Sequence, residues 1–214
     1  MSLAAQTTPL IAALEQLGPH DHFCSIYESP QEHYAVAIPF IRIGLDRGEK
    51  CIYIADDGTV GDVRQAMESE GIDVDRAIAS KALVLATKEQ AYLEHGSFHP
   101  DWMFTFWKKA TQLAMSEGFS ALRATGETEW VLRGGRGLER WMEYESRLTH
   151  TLSESTVPRF ASTIDAFFHR NSFSTSSARI PWSFTAARSA EICTLCHRTN
   201  FWELTKRRVK WKGC

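Results

Sequence analysis

No run in the 214 residues approaches eighteen consecutive apolar side chains, so no segment is expected to cross a bilayer as a helix. The N-terminal stretch MSLAAQTTPLIAALEQLG lacks a basic region followed by a long apolar run, and no secretory leader is expected. Cysteine is sparse and odd in number, five residues widely spread, which argues against a disulfide scaffold and for a reducing compartment. The expected location is therefore cytoplasmic. Collagen-like and disordered compositions are also excluded, because 43% of the residues are hydrophobic, enough for one globular core. Neither sign of charge is in excess over the whole chain, with 24 Lys+Arg against 26 Asp+Glu and a net of −2.

That balance hides an asymmetry. Residues 1–158 hold 14 basic and 23 acidic side chains, a net of −9, whereas residues 159–214 hold 10 basic and 3 acidic, a net of +7. The second part is rich in Ser and Thr and ends in KRRVKWKGC. So abrupt a shift marks a boundary. The organisation expected is an N-terminal segment 1–19, a domain over 20–158 and a basic tail 159–214.

Within the domain, helices alternate with strands. His22–Tyr27 is β-rich. Ser29, Pro30 and Glu32 carry an N-cap and capping-box pattern for a helix to about Asp46, bent at Pro39 and closed by Gly48. Cys51–Ala55 reads as a strand apolar on both faces, followed by an Asp56-Asp57-Gly58 turn. Thr59 is expected to cap a helix to about Glu70. Leu83–Thr87 and Phe119–Thr125 read as strands, and Trp102–Ser116 and Gly137–Leu152 as helices. This alternation means βαβ units: an α/β, three-layer, mostly parallel sheet with helices on both faces.

In such sheets ligands bind beyond the carboxyl ends of the strands. The loops there are Tyr27-Glu28-Ser29, Asp56-Asp57-Gly58, Thr87-Lys88-Glu89 and Gly126-Glu127-Thr128-Glu129-Trp130. They offer carboxylates, hydroxyls and aromatics for a small polar or partly apolar molecule. They offer no phosphate cradle, since YESPQEH has neither the glycines nor the lysine of a P-loop.

HFCSIYESPQEHYAVAIPFIRIGLDRGEKCIYIADD, FSALRATGETEW and LERWMEYESRL together resemble the MEDS domain, the methanogen/methylotroph sensory domain named after the dichloromethane-responsive regulator DcmR. The resemblance covers about residues 20–158. It implies a RecA/KaiC-like core without nucleotide motifs, acting as a sensory module for small molecules. Such modules occur alone or joined to DNA-binding or histidine-kinase parts. The partners implied are a small-molecule ligand and an output protein such as a histidine kinase or transcription regulator, and a homodimer is compatible. The alternative is a degenerate RecA-like nucleotide-binding protein or ATPase. No cofactor, membrane or nucleic-acid partner is expected for the domain, and no Ser/His/Asp or Cys/His arrangement points to an enzyme.

The candidate ligand-binding residues each have a plainer reading beside the functional one. His22 and Cys24 alternate onto one side of the first strand, where they form either a metal or redox pair or an ordinary half-buried surface. Tyr27 and Glu28 stand where a P-loop begins in the related ATPases, and serve either a pocket or a helix cap. Asp56 and Asp57 suit acid–base work or Mg²⁺, but equally a turn. Glu127 follows the fourth strand, where ATPases of this architecture position water or metal. With Trp130 it offers a carboxylate to orient a ligand and an indole to cover it. The aromatic helix at 102–107 reads as core. Cys193–Cys196–His197 matches a c-haem attachment pattern, which is rejected because that chemistry needs export.

Residues 159–214 show neither helical nor strand periodicity, so the basic end carries phosphate-contact chemistry without a groove-reading element. The resemblance also stops near Pro158, where a strand of the form C-x-Y-D is due. Read in a shifted frame, RFASTIDA can encode such a strand, and the later stretch can encode the His-Pro and Gly-Gly features that follow it. Residues 159–214 are therefore expected to be a frameshifted, poorly ordered translation of the domain's own C-terminal third. Resequencing the gene across the Pro158 codon should reveal a lost base; an uninterrupted frame overturns the expectation.

Overall fold

The protein is described from a computed structural model over residues 9–27, 29–56, 58–132, 138–141, 143–145, 147–148, 160–167 and 191–194. Its centre is a six-stranded sheet of β1 (His22–Tyr27), β2 (Lys50–Ala55), β3 (Leu83–Thr87), β4 (Leu122–Gly126), β5 (Phe160–Phe167) and β6 (Glu191–Thr194). The strand order is β3-β2-β4-β5-β1-β6, with β6 antiparallel to β1 and the other pairings parallel. The helices are α1 (Pro9–Gln16), α2 (Pro30–Asp46), α3 (Val60–Ser69), α4 (Val74–Ala79), α5 (Lys88–Ala91), α6 (Pro100–Ser116) and α7 (Glu129–Leu132). A 3-10 turn, Leu138–Arg140, leads into further helical residues up to 148.

Alternation along β2 creates the layers. Cys51, Tyr53 and Ala55 face Ala37, Ile38 and Ile41 of α2, Val63 and Met67 of α3 and Val74 of α4. Ile52 and Ile54 face the other way, into a cluster with Ala91, Met103, Trp107, Trp130, Trp141 and Leu148. Burying β2 on both faces requires an unbroken apolar run, which CIYIA supplies from Cys51 on, while Lys50 at its start pairs with Glu117. Right-handed crossovers set the helix positions. Connections that step towards β3 place α2, α3 and α4 on one face, and those that step back place α5 and α6 on the other. The three-layer α/β architecture expected from the sequence is the one observed.

Local chemistry explains most boundaries. Ser29 Oγ accepts from the Glu32 amide and Pro30 occupies the first turn of α2. Pro39 is accommodated within a continuous helix, and Gly48, at φ 68°, takes the left-handed position after it. Thr59 departs from expectation: its hydroxyl makes no cap bond to α3.

Two further differences concern the chain's ends. The segment 1–19 contains α1, whose Leu14, together with Leu17, packs with Phe23, Val36 and Phe40. The statement that 159–214 carries no strand is corrected at β5, which pairs with β4 on one side and β1 on the other, and at β6, which pairs with β1. Ser162, Thr163 and Asp165 break the apolar pattern of FASTIDAF and hid this strand. The sheet therefore has its central strand in the frame as given. Residues 168–190 and 195–214 lie outside the described residues, as does most of the Cys193–His197 pattern. Among the described residues, no helix is long and apolar enough to cross a membrane.

The base of the sheet is fixed by Arg123, which is 0% exposed. Its guanidinium donates through Nε and Nη2 to the Glu49 carboxylate, the latter at 3.2 Å, and lies 4.4 Å over the Phe40 ring. α2 approaches this pair at Gly44, where a Cβ would stand 2.6 Å from Cys51 Sγ and 2.7 Å from Arg123 Cδ. Gly44→Ala should lower the unfolding free energy by about 1–3 kcal/mol. Gly61→Ala in α3, with nothing within 4 Å of the new Cβ, should raise it by up to about 1 kcal/mol. Urea denaturation of the two variants checks the contrast.

Candidate functional site

The strand register brings three charged residues side by side at the carboxyl edge of the sheet. Ala55 pairs with Thr87 and Ile54 with Gly126, so Asp56, Lys88 and Glu127 emerge together from β2, β3 and β4. The chain leaves β2 towards one face of the sheet and β4 towards the other. The crevice between their ends is the topological switch point of this fold.

Glu127 fills that crevice. It is 6% exposed, and its amide donates to the Ile54 carbonyl at 2.9 Å. Tyr53 Oη donates to carboxylate oxygen Oε1 at 2.9 Å. The Asp56 amide donates to Oε2 at 2.7 Å, and Thr59 Oγ1 lies 2.7 Å from the same oxygen. His33 of α2 stands 3.9 Å from Oε1 and contacts Tyr53 Oη through Nε2. Because the tyrosine's one proton goes to Glu127, His33 Nε2 carries the proton in that contact. One carboxylate thus draws donors from β2, from the β2–α3 loop and, through Tyr53, from α2. Hydrogen bonds to an ionised acceptor are about twice as strong as neutral ones, which is how a buried charge is held here.

Around this latch, Lys88 Nζ lies 2.9 Å from Asp56 Oδ1, with both side chains almost wholly buried. Tyr27 is buried with its ring centroid 4.6 Å from that of His33. Tyr34, one residue on, is half-buried. Burial first, then the charges of Glu127, Asp62 and Glu129, push its hydroxyl up to about 12. The Trp130 indole donates to the Glu127 carbonyl at 3.1 Å and packs among Tyr92, Phe98 and Trp141. That places Trp130 in the core, fixing the backbone of Glu127. Gly126 lets Tyr92 approach, since a Cβ there would stand 2.4 Å from Tyr92 Oη.

Of the eight residues proposed from sequence, the structure brings Tyr27, Asp56, Glu127 and Trp130 to this edge. Glu28 and Asp57 lie outside the described residues, as does the side chain of Cys24. His22 lies elsewhere, buried 3.8 Å from Glu145 on the opposite face of the sheet from Tyr27. Burial pulls His22 down to about 4 and pushes Glu145 well above the usual carboxylate range, so both are neutral at intermediate pH. Among the described residues no cluster of three or more His, Cys, Asp or Glu side chains is placed to hold a metal ion. His33 and Tyr53 were not singled out from the sequence, Thr59 was read only as a cap, and Lys88 only as part of a strand-end loop. Tyr53 sits in a run that looks uniformly apolar, and Thr59 has the pattern of a cap. Lys88 had one usable signal, its place directly after a strand.

Fold and site together define a doubly wound α/β protein whose switch-point crevice, between the ends of β2 and β4, holds a carboxylate latch. Residues 21–158 match the family described as MEDS, the MEthanogen/methylotroph, DcmR Sensory domain, and the chain belongs to that family. No curated protein matches the sequence. Among solved structures it is similar to a KaiC-like protein from the hyperthermophilic archaeon Pyrococcus horikoshii OT3, at 14% identity and a TM-score of 0.49. That alignment covers 70% of this chain and 62% of the other.

Glu127→Gln removes the charge and turns one oxygen into a donor, which either faces the Asp56 amide or makes the Tyr53 hydroxyl give up its donor role. It should lower the unfolding free energy by about 2–3 kcal/mol, and Tyr53→Phe by about 1 kcal/mol, both read by urea denaturation. The neutral pair on the other face has its own pH signature. Above the ordinary carboxylate range unfolding releases the Glu145 proton, so stability falls as pH rises; below 6.5 the unfolded chain takes up a proton that His22 refuses, so stability falls towards pH 4. Glu145→Gln should therefore be more stable than wild type by roughly 1–3 kcal/mol at pH 7.5, with the gap closing at pH 4.5.

Proposed function

We propose that the chain is a signal-sensing module that binds a small molecule at the carboxyl edge of the sheet and passes the event to an output partner, a histidine kinase or a transcription regulator. The observation that carries this reading is the Glu127 latch at the switch point. It joins α2, the β2–α3 loop and the β4–α7 connection through one carboxylate, so a ligand that competes for Tyr53, Thr59 or the Asp56–Lys88 pair moves all three. Membership of a sensory-domain family supports the reading. The surroundings of Tyr34, lined by Glu127, Asp62 and Glu129, disfavour a polyphosphate. A cytoplasmic site of action fits the sparse, odd cysteine count. The reading-frame proposal for 159–214 rests on sequence features alone, because β5 fills its sheet position in the frame as given.

The second reading, a degenerate nucleotide-binding protein, draws on the likeness implied by the sequence motifs. Calorimetric titration separates the two. The sensory reading predicts no saturable binding of ATP with Mg²⁺ below about 1 mM. It also predicts that small-molecule hits from a thermal-shift panel lose their shift in Tyr53→Phe and Thr59→Ala. Micromolar, Mg²⁺-dependent ATP binding, or hits that shift both variants as they shift wild type, contradict it.

A further inference from the structure

The carboxyl edge of a parallel sheet ordinarily favours anions, because helices begin there and their positive ends point at the ligand. In this protein the fold itself uses up that advantage. α2, α3, α5 and α7 start directly after strands, and each carries an acidic residue in its first turn: Glu32, Asp62, Glu89 and Glu129. With Asp56 and Glu127 these put six carboxylates on the described strand ends and first turns. Lys88 is the one cation among them, and Asp56 at 2.9 Å and Glu89 at 3.7 Å already hold it. The field left over is negative.

The hydrogen bonding is one donor short at the same place. Thr59 Oγ1 lies 2.7 Å from Glu127 Oε2 and 2.9 Å from the Asp56 carbonyl oxygen, and a hydroxyl has one proton for the two acceptors. Tyr53 and the Asp56 amide serve Glu127 from inside the fold, whereas Thr59 is half-buried and forms the solvent side of the latch. A donor arriving from solvent can therefore take Oε2 while the Thr59 hydroxyl turns to the Asp56 carbonyl. Nearby, the half-buried Tyr34 ring stands 5.5 Å by centroids from that of His33, and the charges of Glu127, Asp62 and Glu129 all act on its hydroxyl. Burial and those charges keep Tyr34 a neutral phenol, whose ring face attracts cations.

We propose that the ligand of this edge is a small protonated amine. Its N–H groups donate to Glu127 Oε2 and to the Thr59 hydroxyl oxygen, Asp62 and Glu129 meet its charge, and its carbon body lies against the Tyr34 ring. Asp62 is exposed and has no ion-pair partner among the described residues, so its charge is available to such a ligand. By taking Oε2 the amine releases Thr59, and with it the start of α3, from Glu127. The proposal rests on the reading of this edge as the ligand site and adds the charge and donor character of what fills it.

The test uses the full chain and straight-chain amines, alcohols and carboxylates of matched length, read by thermal shift and calorimetric titration at neutral pH. The amines alone should bind, and more weakly as salt is added. Their trimethylammonium counterparts, which keep the charge and lack N–H, should bind at least about ten-fold more weakly. Asp62→Asn with Glu129→Gln should weaken the amines about ten-fold, with circular dichroism as in wild type. A second measurement needs no bound ligand. Gly61→Cys, exposed on α3 with nothing within 4 Å of the new Cβ, places a thiol next to Asp62. Its labelling is read by mass spectrometry of the peptide containing residue 61 and normalised to free cysteine. A cationic methanethiosulfonate should react at least about five-fold faster than an anionic one, and adding Asp62→Asn and Glu129→Gln should reduce that ratio. No amine binding, equal binding of amines and carboxylates, or a labelling ratio near one overturns the proposal. Alcohols or carboxylates that bind wild type in place of amines, and fail to bind Tyr53→Phe, keep the edge as the ligand site and overturn only the charge class. Amines whose binding Tyr53→Phe leaves untouched lie elsewhere and overturn both.

Discussion

A carboxylate buried at the end of a parallel sheet is costly unless donors surround it, and Glu127 is surrounded. Its donors come from segments distant in sequence, Tyr53 and the Asp56 amide from one strand end and Thr59 from the loop beyond. Satisfying that single charge therefore fixes how β2, its outgoing loop and β4 end together. His33 extends the arrangement into α2, and the Trp130 indole holds the Glu127 carbonyl from below. The architecture of the candidate site depends on this constraint.

A second carboxylate performs the converse task at the other end of the same two strands. Glu49, just before β2, takes two donors from Arg123 near the start of β4. Glu127, just after β4, takes donors from the end of β2. The β2–β4 pair is thus tied at both ends, with a buried ion pair under the Phe40 ring below and a hydrogen-bonded latch above. The lower tie is buried, with Phe40 stacked on Arg123 and Gly44 close beside it, which marks it as scaffold. The upper tie lies where loops diverge to opposite faces, which is where a bound molecule could alter it.

Much of this was legible in the sequence. The alternation of apolar strands and amphipathic helices gave the three layers, Ser29-Pro30 marked the start of α2, and Glu127 stood out by following a strand. Its partners did not stand out. Which residue of β2 lies beside which residue of β4 is a matter of register, and no local pattern in CIYIA or LRATG encodes it. Thr59 was hidden because a cap and a latch donor look alike in one dimension. β5 was hidden because FASTIDAF is rich in small polar residues, yet it sits between two strands whose backbones require a partner. Trp102 and Trp107 look equivalent in the sequence, and only the packing of α6 divides them into surface and core.

The claim on which the rest turns is that Glu127 holds the β2–α3 loop in place through the Asp56 amide. Amide hydrogen exchange of Asp56, followed by NMR or by mass spectrometry of the peptide containing it, reads that bond directly. Wild type should protect this amide about as strongly as the strand amides of β2. In Glu127→Ala, which leaves no side-chain acceptor, the protection at Asp56 should collapse by at least about a hundred-fold while that of Ile52 and Ile54 changes no more than the global stability does. Protection at Asp56 that survives the substitution, or that is absent in wild type, would contradict the latch.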